Sequence, residues 1–125
     1  MLKRKIEQAL INWKNTPHHS PLIIKGCRQC GKTYSVRDFA KKNYKYEVYL
    51  NFFKNPSYIS IFDGSLEIDN IIMLMSALLG SSAVFEPGET VIILDEIQDC
   101  PEARTALKFF KEDGRFDVIG TGSLL

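Results

Sequence analysis

Residues Gly26-Cys27-Arg28-Gln29-Cys30-Gly31-Lys32-Thr33 have the spacing G-x-x-x-x-G-K-[ST], and each residue type has a use against phosphate. Gly26 and Gly31 let the backbone turn tightly and approach phosphate oxygens with no Cβ in the way. The N–H groups of such a loop converge into a concave anion site. A helix beginning near Gly31 adds unpaired N–H groups and the positive end of its dipole. Lys32 is a compact cation that can reach β- and γ-phosphates, and Thr33 can offer its hydroxyl to Mg²⁺. The apolar run Leu22-Ile23-Ile24 before the turn and a helix-like stretch after it supply the required strand–loop–helix context. Gly26, Cys27, Arg28, Gln29, Cys30, Gly31, Lys32 and Thr33 are therefore candidate nucleotide-binding residues, with Lys32 also catalytic and Thr33 also a metal ligand. The bland alternative is a glycine-rich strand–helix turn with an incidental lysine.

A second motif counts against that alternative. Val91-Ile92-Ile93-Leu94-Asp95-Glu96 is an apolar run ending in two carboxylates. Four apolar residues in a row suit a central parallel strand covered on both faces. Asp95 then falls at the strand's carboxyl end, where open α/β sheets bind ligands. There it can hold the Mg²⁺ that Thr33 also touches. Glu96, one residue on, points elsewhere and is the candidate for polarising an attacking water. Alone this pattern is weak, since strand-to-loop turns often begin with acids; downstream of a phosphate loop it gains weight. A third strand, residues 116–121, leads into Gly120-Thr121-Gly122-Ser123 beside the Asp-Glu strand. Its hydroxyls could sense the γ-phosphate or the attacking water, with Ser123 preferred to Thr121. The alternative there is a glycine turn with polar caps.

These residues need elements to hold them. Residues 3–15 read as an amphipathic helix with Ile6, Leu10 and Trp13 on one face, followed by a proline-bearing loop over 16–21. The first strand spans 22–25, and the helix after the phosphate loop spans 32–43, with Val36, Phe39 and Ala40 inward. Residues 46–51 are rich in strand formers. Residues 54–64 suggest a short helix and turn. Over 66–79, Ile68, Ile71, Ile72, Met75, Leu78 and Leu79 form a wide apolar stripe at helical spacing, which is ordinary core packing. Glu86-Pro87-Gly88-Glu89 is a turn. Pro101 opens a helix to about Asp113, with Ala103, Ala106, Leu107 and Phe110 inward and Gly114 ending it. Strands alternating with helices predict parallel β-α units with right-handed crossovers. The helical unit before the Asp-Glu strand leaves room for that strand to lie directly beside the phosphate-loop strand. Residues 1–20 are read as an N-terminal helix and linker, and 21–125 as a P-loop ATPase core.

The chain has 125 residues, enough for one domain but short for a complete nucleotide triphosphatase module. Sixteen basic and fifteen acidic residues leave a net charge of +1, which gives no strong pull toward nucleic acid or membrane. Lys3-Arg4-Lys5 is read as a solvated helix end. No apolar run approaches the ~20 residues of a membrane span, and the N-terminus lacks a secretory apolar region; a cytoplasmic location is expected. Cys27 and Cys30 form C-x-x-C inside the phosphate loop. A zinc site would need two more ligands, so metal or redox chemistry is the weaker reading. Oxidation of Cys27 to Cys30 would still distort the loop and block nucleotide binding.

The segments PLIIKGCRQCGKT, IILDEIQDCP and LKFFKEDGRFDVIGTGSLL resemble the N-terminal ATPase domain of bacterial and archaeal AAA-type proteins (AAA_14-like), usually followed by a C-terminal DUF4143 domain. Arg28-Gln29, Gln98 and the closing Gly122-Ser123-Leu124-Leu125 are the specific elements. The resemblance implies an α/β, AAA-like P-loop NTPase core: a three-layer α/β/α domain with a mostly parallel sheet and ATP and Mg²⁺ as ligands. It implies that Gly26 through Thr33 bind phosphate, Asp95 supports the metal, Glu96 activates water and Ser123 is sensor-like. Cys27 and Cys30 stand where such proteins more often have small or aliphatic residues. The family's domain normally continues beyond Leu125 with a strand, a helical lid and arginines that complete the site. The chain is thus expected to be a fragment truncated before the lid, weakly active or inactive alone and able to self-associate. Arg104 and Arg115 are candidates for a charge-stabilising arginine that nothing in the spacing selects. The leading expectation is ATP hydrolysis by water attack. Rivals are a small-molecule P-loop kinase, a non-hydrolysing nucleotide-dependent switch or scaffold, and a nucleic-acid-dependent motor.

Overall fold

A computed structural model describes residues 2–26 and 31–123. The order of elements is α1 (Leu2–Asn15), β1 (Leu22–Gly26), α2 (Lys32–Asn43), β2 (Tyr46–Asn51), a 3₁₀ helix (Pro56–Phe62), α3 (Ile68–Leu79), β3 (Thr90–Asp95), α4 (Pro101–Asp113) and β4 (Asp117–Ser123). Two further single 3₁₀ turns, Gly80–Ser82 and Ile97–Asp99, follow α3 and β3. Residues 54–64, read as a short helix and turn, hold that 3₁₀ helix, which buries Ile61 and Phe62. The stripe on α3 buries Ile68, Ile71 and Met75, while Leu78 remains 49% exposed.

The four strands are all parallel and lie in the order β1-β4-β3-β2. The Asp-Glu strand is therefore not the neighbour of the phosphate-loop strand, as the sequence reading had it; β4 lies between them. Residues 118–122 are all buried and extended, so their backbone groups need ladder partners on both edges. The slot between β1 and β3 supplies both. The glycine-turn reading of 120–123 fails for the same reason, since Gly120 through Ser123 pair in register with Ile23 through Gly26.

Side chains alternate across the sheet and build two cores. Val91, Ile93 and Ile119 pack with Leu10 of α1 and Val36, Phe39 and Ala40 of α2. Ile92, Leu94 and Val118 pack on the other face with α3, α4 and the 3₁₀ helix, through Ile71, Met75, Ala106, Phe110 and Phe62. Every residue of β3 is buried, as its uninterrupted apolar run requires. The result is the expected three-layer α/β/α arrangement. At the amino end of β4 a second polar cluster ties the layers together. Asp117 Oδ1 lies 2.7 Å from His19 Nε2, and its Oδ2 accepts from the Tyr44 hydroxyl at 2.5 Å.

Candidate functional site

The carboxyl ends of the strands converge on one edge of the sheet. Asn51 of β2 stands opposite Asp95 of β3, and Ser123 of β4 stands opposite Gly26 of β1. Helix α2 begins at the same edge, after Gly31 in the left-handed region at φ 84°. A Cβ there would be strained whatever the space. No side chain caps the α2 N-terminus from the Gly31 position, so its first N–H groups face outward from the helix end. Lys32 is 5% exposed.

Asp95 is the centre of the site. It is 3% exposed, and hydrogen-bond donors surround its carboxylate. Oδ2 accepts from Thr33 Oγ1 at 3.1 Å, from the Tyr49 hydroxyl at 2.5 Å and, at the long limit, from Asn51 Nδ2 at 3.4 Å. Oδ1 accepts from Thr121 Oγ1 at 2.5 Å and from the Glu96 N–H at 2.9 Å. An ionised carboxylate can only accept, and every one of these contacts suits it.

Glu96 does point elsewhere. Its backbone is left-handed, at φ 56° and ψ 47°, a conformation uncommon for a non-glycine residue and concentrated at functional sites. Its Oε1 accepts from Gln98 Nε2 at 2.8 Å and from Ser123 Oγ at 3.3 Å. The two hydroxyls of β4 thus divide between the two acids, Thr121 to Asp95 and Ser123 to Glu96. The structure brings Thr33, Asp95, Glu96, Thr121 and Ser123 together, with Gly26, Gly31 and Lys32 on the same edge. Cys27, Arg28, Gln29 and Cys30, named as phosphate-binding, lie outside the described residues, as does the Cys27–Cys30 pair.

A profile of the AAA domain (AAA_14) matches residues 18–125. This chain belongs to the AAA domain family. No curated protein matches it. Among solved structures it is similar to that of PCH-2 from C. elegans, at 16% identity and a TM-score of 0.46; the match covers 98% of this chain but only 33% of that one. Membership makes this AAA domain one of nucleotide-binding, ATPase type.

Several residues of this AAA domain's site escaped the sequence reading. Tyr49 and Asn51 on β2 share one face, two residues apart, and both donate to Asp95. Their signal was a tyrosine and an asparagine two residues apart in the carboxyl half of a strand otherwise rich in strand formers. Asn51 also accepts from the N–H groups of Phe53 and Lys54, at 3.0 and 2.9 Å, and so turns the chain out of the sheet. Arg37 braces Tyr49. Its guanidinium lies 4.0 Å from the ring centroid and makes a two-pronged bond to Glu47, at 3.0 and 3.1 Å. Burial, then the bond to Asp95, pushes the Tyr49 phenol up to about 12, so it remains a donor. Arg115, one of the two candidate arginines, bonds Asp113 and Asp69 at the amino end of β4, away from this edge. Among the described residues no helix is long and apolar enough to cross a membrane.

Proposed function

We propose that this AAA domain binds ATP with magnesium and, in the complete protein, hydrolyses the β–γ bond by attack of water. The observation that carries this reading is the bond from Thr33 to Asp95, which joins two motifs 62 residues apart at 3.1 Å. A hydroxyl and a carboxylate oxygen form the hard donor set that magnesium selects, so Thr33 and Asp95 fit that ion. When bound, magnesium neutralises charge on the β- and γ-phosphate oxygens.

The remaining steps belong to the chain's own residues. Gly26 through Thr33 and the start of α2 would cradle the triphosphate with N–H groups and a helix dipole. Lys32 would meet the charge that develops on the β- and γ-oxygens. Glu96 would orient the water and take its proton. Ser123, bonded to Glu96, would hold that carboxylate in place, and Thr121 would do the same for Asp95. An arginine from a second copy is compatible with the self-association expected of the domain and would add ~10³–10⁵ in rate. We take residues 21–125 as the nucleotide core, with 1–20 as a preceding helix and linker.

ATP turnover and affinity test this reading. In the complete protein, Glu96→Gln is expected to keep the magnesium–ATP affinity of the unmodified form and to lose at least ~10²-fold in turnover. Unchanged turnover in that variant would overturn the role given to Glu96.

A further inference from the structure

Gln98 lies two residues past the acidic motif and has no role in the hydrolytic reading. Its side-chain amide bridges the ends of β3 and β4. Nε2 donates to Glu96 Oε1 at 2.8 Å, while Oε1 accepts from the Ser123 N–H at 3.3 Å. Both ends have fixed polarity: one partner only accepts and the other only donates. A glutamine satisfies both, whereas a glutamate would set a second carboxylate against Glu96. The space for the amide comes from Gly122, where a Cβ would stand 2.6 Å from Gln98 Oε1. The Glu96 backbone is fixed as well, through its N–H on Asp95 and its left-handed φ of 56°. Among the described residues, both side-chain bonds to the Glu96 carboxylate fall on Oε1.

We propose that Gln98 is a positioning residue for Glu96, holding one carboxylate oxygen so that Oε2 is presented to the water nucleophile. Gln98 acts only through Glu96, and Gly122 is the glycine that admits it. The inference rests on the hydrolytic reading above.

The test compares Gln98→Ala, Gly122→Ala and the double variant in the purified complete protein, each checked for folding by thermal melting. Gln98→Ala is expected to lower kcat by about 10–100-fold, with KM and ATP affinity unchanged. Gly122→Ala, which displaces the amide, is expected to lower kcat comparably. The double variant is expected to be no slower than Gln98→Ala, because both changes remove one shared contact. In the nucleotide-free protein the Gln98 side-chain amide resonance, whose Nε2 donates to Glu96 Oε1, is expected to move on Glu96→Ala. An unmoved resonance would overturn the contact itself. Full kcat in Gln98→Ala, or multiplicative losses in the double variant, would overturn the inference while leaving ATP hydrolysis standing. Magnesium–ATP binding with no turnover in the complete unmodified protein would overturn the hydrolytic reading and this role together.

Discussion

Asp95 shows how much of a site one buried carboxylate can organise. Its oxygens are held by donors from α2, β2 and β4 and by the next backbone N–H. Thr33 and Asp95 were legible because fixed spacing and a strand-end position announce them. Tyr49 was not, because its partner comes from strand pairing across the sheet and no local pattern encodes that. Tyr49→Phe takes one donor from a buried charged group, with an expected loss of about 1–3 kcal/mol in denaturant melts at neutral pH. The pH dependence has a definite sign. The folded-state phenol is raised from 10.0 to about 12, so its contribution is whole below the ordinary phenol value. That contribution drains away as pH rises through the folded value. The stability curve of Tyr49→Phe should therefore be flatter than that of the unmodified protein between about 10 and 12. Parallel curves would remove Tyr49 from the set of groups that hold Asp95.

At the scale of elements, helices were easier to read than the order of strands. A 3.6-residue stripe marks a buried face within one segment, and α2 and α4 carry the inward residues that the stripe names. Strand order depends on which segments need ladder partners on both edges, a property of the whole sheet. A turn at Gly120-Thr121-Gly122-Ser123 was the alternative reading because glycine is depleted in strands. Here the glycines leave room for neighbours: a Cβ on Gly120 would lie 3.1 Å from Ile97, and one on Gly122 would meet Gln98. Helix α1 packs into the first core, with Leu10 wholly buried in one cluster with Val36 and Phe39. Leu10→Ala is expected to cost about 2–5 kcal/mol in urea unfolding. A cost near zero would mean that α1 contributes nothing to the stability of the sheet.

The described residues form a two-faced core with the candidate site at one edge of the sheet. Four parallel strands deliver their carboxyl ends, and therefore Gly26, Asn51, Asp95 and Ser123, to the start of α2. The opposite edge carries the His19–Asp117–Tyr44 cluster, which fastens the 16–21 loop to β4. A ligand that binds only the folded chain stabilises it by mass action. Magnesium–ATP at 100 times its Kd should add about 2.7 kcal/mol to the unfolding free energy, and the Lys32→Ala variant should lack this gain at the same concentration. The decisive measurement is a calorimetric titration of ATP, with magnesium and with EDTA, into the unmodified protein, Lys32→Ala and Asp95→Asn. Lys32→Ala should lose affinity by at least about tenfold, roughly 1.4 kcal/mol, in both buffers, and Asp95→Asn only when magnesium is present. Equal ATP affinity in the unmodified protein and Lys32→Ala would contradict a shared magnesium–nucleotide pocket at this edge.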